Sequence, residues 1–312
     1  MIVVERPNGL RLFFALRGSI LPRIVRSLLT CTLLAAAVSF SHGVLFHWKI
    51  TLTPVPFSLI GLALAIFLGF RNGAAYERYV EGRRLWGDIT HRSRSLARQW
   101  QSLLGAAAPA RDADRDDPRV QFLRRTVAFA HALRHQLRLT DPSADLRRLL
   151  DPEEARAAAA SRVPHDWLLR NNGLALGERL RAGALEAPLA AEIDRHLSDL
   201  AAAAAGCERI QATPIPFAYT LLLHRTAYLY CFLLPFGLVD LIGPLTPFVV
   251  AIVAYTFFGL DAVGDEIADP FGVMPHHLPL EAICTTIEIS LLEALDAAEL
   301  PPTPRPVDGL LL

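Results

Sequence analysis

The chain has 312 residues, 52% of them hydrophobic, and its basic and acidic side chains balance to a formal net charge of zero at pH 7. Its mean hydropathy is positive, too apolar for an ordinary soluble domain, and it lacks the net basic charge of a nucleic-acid-binding protein. The charge is unevenly placed: Arg6, Arg11, Arg17, Arg23 and Arg26 face only Glu5 before Leu28, whereas ten acids face Arg305 alone from Asp261 onward.

In chain order, residues 1–22 read as a cytosolic arm. Leu10, Phe13, Phe14 and Leu16 among arginines suit an amphipathic segment at a membrane surface. The uncharged run from Ile24 to Phe46, after Arg26 near its start, is long enough to span a bilayer, which takes about 20 apolar residues. His47-Trp48-Lys49 follows, and tryptophan favours the headgroup level. Pro54 and Pro56 open a second helix that is apolar to Phe70 and then turns polar through Arg71, Glu77, Arg78, Glu81, Arg83 and Arg84. With no later proline before Asp88, this helix continues out of the membrane over roughly 50 Å, against an apolar core of about 30 Å.

The arginines set the orientation. Both arginine-rich segments are cytosolic by the positive-inside rule, so the first two spanning helices, in residues 23–70, form a hairpin. Residues 71–213 read as a helical cytosolic region, with Arg84/Asp88 and Asp88/Arg92 as i,i+4 pairs and helical spacing from Val120 to Leu139. Gly105 to Pro118 is a loop, helices begin near Ser143 and Pro152, and Asn171-Asn172-Gly173 interrupts the pattern. No alternating strand pattern occurs there. Phe217–Leu241 and Thr246–Val263, turned at Gly243-Pro244, supply a second spanning hairpin in residues 214–264. Four crossings return the acidic tail, residues 265–312, to the cytosol, with Pro301 to Leu312 extended or disordered.

The fold class is therefore all-α and polytopic, with both termini cytosolic. Cys31, Cys207, Cys231 and Cys284 lie far apart without metal-ligand spacing, so neither disulfides nor structural zinc are expected. Nucleotide-binding, metalloprotease and nucleophile-elbow motifs are all missing, so no catalytic residue is assigned. His131/His135 share a helix face, and His276, His277 and Glu281 lie close in sequence, but neither set has a third ligand at metal spacing. Asp261, Asp265 and Asp269 line one face at a membrane exit, where Arg71, Arg78 and Arg225 can balance them in an interfacial ion-pair network.

Two faces stand out on the second helix. Gly61, Ala65, Gly69 and Gly73 form a small-residue stripe that permits close helix packing. Leu62, Ile66 and Phe70 form a bulky apolar face, which either meets lipid or neighbouring helices or, in a ring of subunits, surrounds an axis and obstructs ions by dewetting.

Three stretches resemble one family. LAIFLGFRNGAAYERYVEGRRLWGDI, TPIPFAYTLLLHRTAYLYCFLLPFGLVD from Thr213, and GLDAVGDEIADPFG from Gly259 are similar, in this order, to the bestrophins, especially their bacterial branch. The resemblance implies a homopentamer around a central pore, with four transmembrane helices per subunit. It implies a hydrophobic neck at Leu62, Ile66 and Phe70 and a second, cytosolic aperture at Ile215, which Pro214 and Pro216 hold rigid. The implied function is a chloride or other small-anion channel of the bacterial inner membrane, without cofactor. The alternatives are a sodium-selective channel on the same fold, a membrane transporter or enzyme, and a non-conducting scaffold. In eukaryotic members acids directly after the matching Pro-Phe-Gly help bind calcium. Here Val273-Met274-Pro275-His276-His277 follows Gly272, with no acid before Glu281, so no calcium or other metal is expected.

Overall fold

Helix-favouring runs, punctuated by prolines at their first turns, give ten α-helices among the described residues of the computed structural model. These residues are 1–3, 14–16, 18–41, 44–45, 48–49, 53–104 and 110–312. Most of the amphipathic arm, His47 and the start of the Gly105–Pro118 loop lie outside them; Phe14 and Leu16 are exposed.

The helices are α1 (Leu21–Phe40), α2 (Pro54–Leu103), α3 (Pro118–Arg138), α4 (Ser143–Leu149), α5 (Pro152–Ala160), α6 (Pro164–Arg181), α7 (Ala187–Ala212), α8 (Phe217–Ile242), α9 (Thr246–Ala268) and α10 (Leu280–Ala294). The first apolar run was expected to stay helical to Phe46, but α1 ends at Phe40. The Ser41 hydroxyl donates to the Val38 carbonyl at 3.2 Å, and further along β1 (Val44–Leu45) pairs with β2 (Trp48–Lys49). The antiparallel register is Val44 to Lys49 and Leu45 to Trp48.

The chain divides into two compact units. The apolar unit comprises Val4–Tyr79 and Pro214–Asp269. Three stretches of the described residues are long and apolar enough to cross a membrane: Leu21–Phe40, the helix Pro54–Leu103, and Phe217–Ala268. The last is two helices, α8 and α9, joined by a 3-10 turn at Gly243–Leu245. Gly243 takes φ 49° there, a backbone region where a side chain is strained, and its carbonyl accepts from Ser39 Oγ at 3.0 Å. Helices α1, α8 and α9 share a core of Ile24 and Cys31, Cys231 and Leu234, and Val250, Ala254 and Phe258, spaced by seven, three and four residues respectively.

The second unit comprises Met1–Val3, Val80–Thr213 and Pro270–Leu312. Its centre is α3, which buries residues on every side, from Val120 and Phe122 to Leu137. The Asp117 carboxylate caps its start by accepting from the Arg119 backbone N–H at 2.7 Å, and Pro118 follows where a missing N–H costs nothing. Trp100 of α2 stacks on Phe122 with centroids 3.7 Å apart. Arg92, read from the sequence as a partner of Asp88, instead reaches Asp199 of α7 at 3.2 Å.

Asn171-Asn172-Gly173 does not interrupt a helix, as the sequence suggested; α6 runs through it. Asn172 is fully buried, and its amide donates to the Phe122 carbonyl and Thr126 Oγ1 of α3 at 3.2 and 3.0 Å. A buried side-chain NH2 whose protons both go to a neighbouring helix does not compete for its own backbone carbonyls, so the helix stays closed. Pro301 to Leu312 is extended and bonded: Ala282 of α10 donates to the Leu312 carbonyl at 2.8 Å, and Leu311 donates to that of Met1 at 2.8 Å.

One buried polar cluster joins α3, α4 and α10. His131 Nε2 meets Glu288 Oε2 at 2.9 Å, and its Nδ1 lies 3.4 Å from Asp145 Oδ2. His135 and Arg134 reach the same Asp145 oxygen at 3.0 and 2.7 Å, and Arg148 bonds both carboxylates. Burial opposes ionisation of Glu288, but hydrogen bonds from His131 and Arg148 outweigh it and hold its pKa at about 2. Hydrogen bonds from His131 and His135 hold Asp145 well below the ordinary carboxylate range. Burial opposes protonation of His131 as well, yet its bonds to Asp145 and Glu288 raise its pKa overall.

Two stability measurements follow, both read as thermal midpoints in mild detergent. Phe122→Ala removes the ring under Trp100 and is expected to destabilise this unit by about 3–5 kcal/mol. The second concerns pH. Because the folded pKa of His131 is raised, its contribution is complete below its unfolded value of about 6.5 and is lost as pH rises through the folded one. Glu288, depressed, contributes above about pH 4.3 and loses that contribution as pH falls toward its folded value. Glu288→Gln should therefore lower the midpoint most in the mildly acidic range and flatten its decline above about pH 6.5.

Candidate pore-lining face and its anchor

The first half of α2 has two opposite faces. Leu64, Leu68, Arg71 and Ala75 are buried, at the four- and three-residue steps of one helix side. Leu64 packs with Leu223 and Ala227 of α8, alongside Tyr219, Tyr230 and Phe257. Gly61 lies beneath Tyr230, whose hydroxyl would stand 2.7 Å from any added Cβ. On the other side Leu62, Ile66 and Phe70 are 61%, 49% and 67% exposed, and none of the described residues covers that face. Ala65, Gly69 and Gly73 are exposed too, and a Cβ at Gly69 or Gly73 would meet no atom within 4 Å. Among the described residues, Gly61 alone of the small-residue stripe has a side chain packed over it.

Ile215 is half-buried between Pro214 and Pro216, immediately before α8. The Pro216 carbonyl accepts from the N–H of Tyr219 at 3.0 Å, closing the first turn. One turn beyond Ile215, the Tyr219 hydroxyl donates to the Phe67 carbonyl on α2 at 3.2 Å. This bond ties the start of α8 to the Leu62–Phe70 segment. Tyr219 carries no spacing signal that would single it out among the aromatic residues of an apolar run.

Where α2 turns polar, its buried face continues in Arg71, only 2% exposed. The guanidinium donates from Nη1 to Asp261 Oδ1 at 2.8 Å and to the Asp261 carbonyl at 3.2 Å, and from Nη2 to Asp265. Asn72 Nδ2 donates to the Leu260 carbonyl at 3.0 Å, and the Asn72 side chain lies where a Cβ at Gly264 would be. Two helical turns beyond Arg71, Arg78 Nε donates to the Ala268 carbonyl at 2.9 Å, at the last residue of α9. Asp269 follows that helix end and is exposed, as is Arg225 on α8.

His224, which no motif singled out, places its Nδ1 2.7 Å from Asp261 Oδ2 and so joins α8 to the same carboxylate. Glu266 lies 3.7 Å from Arg23 of α1. Of the histidines considered as ligands, His277 Nδ1 accepts from the Met274 N–H at 3.3 Å, while His131 and His135 belong to the polar cluster of the other unit.

The bacterial/fungal bestrophin family model matches residues 1–293. The chain belongs to this bestrophin family. It is 44% identical over 301 residues to the Escherichia coli K12 voltage-dependent anion channel-forming protein YneE, a match covering 96% of each chain. It is 43% identical over 314 residues to the voltage-dependent anion channel-forming protein mll4386 of Mesorhizobium japonicum, covering 99% of this chain and 96% of the relative. Among solved structures, a bacterial bestrophin homologue from Klebsiella pneumoniae superimposes with a TM-score of 0.83 at 42% identity, covering 88% of this chain and 100% of the other. Like that bestrophin, this chain is an all-α membrane protein, its described strands being the two-residue pair β1 and β2.

Proposed function

We propose that the chain forms an anion channel of the bacterial inner membrane and is not an enzyme. The observation that carries this reading is the near-full-length identity to relatives described as voltage-dependent anion channel-forming proteins. Copies assemble into a closed ring, a pentamer, with four spanning helices each (α1, the first half of α2, α8 and α9) and both termini in the cytosol. Of the Gly61/Ala65/Gly69/Gly73 stripe, Gly61 is taken up by Tyr230 inside the subunit; Ala65, Gly69 and Gly73 let α2 of neighbouring copies crowd together, and the open space at Gly69 and Gly73 is compatible with that use. Leu62, Ile66 and Phe70 then face the axis as three apolar rings. Their exposure in the single subunit supports this, because a bulky face without internal partners needs lipid or other copies to cover it. An ion entering such a neck loses hydration and gains no ligand in return, so the neck is a barrier that opens by widening and wetting. Ile215, on its proline-bracketed backbone, supplies the second aperture, on the cytosolic side.

Two measurements test this. In liposomes at matched protein density, Ile66→Ala and Phe70→Ala should each raise ion flux while the oligomer mass stays that of a pentamer; unchanged flux assigns Leu62, Ile66 and Phe70 to lipid. In a planar bilayer under a salt gradient, the reversal potential should lie toward the anion equilibrium potential. A potential on the cation side would keep the pore and reverse its selectivity.

A further inference from the structure

We infer that Asp261, through Arg71, is the positioning residue that sets the height and rotation of the neck helix, and so the width of the Phe70 ring. This rests on the pore reading above. Arg71 is the residue next to Phe70, and its guanidinium is buried against Asp261 and Asp265. A second attachment, Arg78 to the Ala268 carbonyl, lies seven residues further along both helices, since each pair is separated by 190 positions. Seven residues are about two turns, or roughly 10 Å, so α2 and α9 run parallel and are fixed at two levels on one face. One attachment would leave a helix free to roll or tilt about it, whereas two on one face fix both its height and its rotation. Between them, Gly264 admits the Asn72 side chain, which holds the helices close.

Asp261 also holds the other end of the pathway. Its second oxygen meets His224 of α8, whose first turn follows Ile215 and reaches the Phe67 carbonyl through Tyr219. One buried carboxylate therefore joins the helix that carries the neck to the helix that begins at the aperture. If Asp261 loses its charge, Arg71 keeps only the half-exposed Asp265 as a carboxylate partner, and α2 gains freedom at the level of Phe70.

The experiment is a double-mutant cycle of Asp261→Asn with Phe70→Ala, read as anion flux in liposomes together with oligomer mass. Asp261→Asn should raise flux severalfold with the oligomer intact. In the Phe70→Ala background, where the ring is already gone, it should add less than about twofold, because the two changes act through one element. Full multiplication of the two effects, or unchanged flux in assembled Asp261→Asn, overturns the inference. If Asp261→Asn does not assemble, Asp265→Asn removes the other, half-exposed carboxylate and should raise flux by a smaller factor; unchanged flux there overturns it equally. Phe70→Ala alone separates the two readings. No effect of Phe70→Ala defeats the neck and the clamp together, whereas an effect there without one from Asp261→Asn defeats the clamp only.

Discussion

A guanidinium removed from water must find carboxylates, and that requirement organises the apolar unit. Arg71 is buried at the point where α2 stops being apolar, and an unpaired charge there costs several kcal/mol. Asp261 and Asp265 on α9 meet the requirement, and Asp261 is itself buried. Such a pair adds little net stability over an apolar equivalent, because desolvation offsets most of the attraction. Its effect is selective: any register of α2 against α9 that separates the pair leaves two buried charges exposed to an apolar surrounding. Apolar contacts such as Leu64 against Leu223 and Ala227 tolerate sliding far better.

The rest of that unit is built from what is small enough to pack and what is left uncovered. Cys31, Ala35, Ala254 and Ala262 let α1 and α9 approach, and Cys31 donates its thiol to the Cys231 carbonyl of α8 at 3.1 Å. The outward residues of these helices, such as Leu29, Leu33, Phe248 and Ile252, remain exposed, as expected where the surroundings are lipid. The exposed face of Leu62, Ile66 and Phe70 differs in its neighbours. Beside it runs a line of small residues, and beneath it lies the anchored face of the same helix.

The second unit solves a different problem. Helix α3 is buried nearly all round, so its polar side chains must be satisfied by the segments packed against it. Arg124 reaches Asp112 at 2.7 Å and the Leu149 carbonyl at 3.2 Å, and His131 finds Glu288. The carboxylates around His131 keep opposite charges together in a closed space, which is why its protonation and their ionisation reinforce each other.

Much of this was legible along the chain. Apolar runs with three- and four-residue spacing, prolines at first turns and a glycine-proline turn locate α2, α8 and α9, because these signals act within a few residues of the backbone they shape. The same local reading put Arg71, Arg78 and the acids of α9 at one depth. It missed the end of α1 and the continuity of α6, since a serine hydroxyl or an asparagine amide stops a helix or leaves it intact according to the partner it finds. Asn172 finds that partner 46 and 50 residues away on α3, and His131 meets Glu288 across 157 positions. His224 reads as an interfacial polar residue until α8 and α9 pack and bring it to Asp261. Periodicity fixes which side of a helix is apolar. Which charged group that side meets, and at what height, is decided only when the helices are in contact, because buried charges select among registers that apolar packing leaves nearly equal.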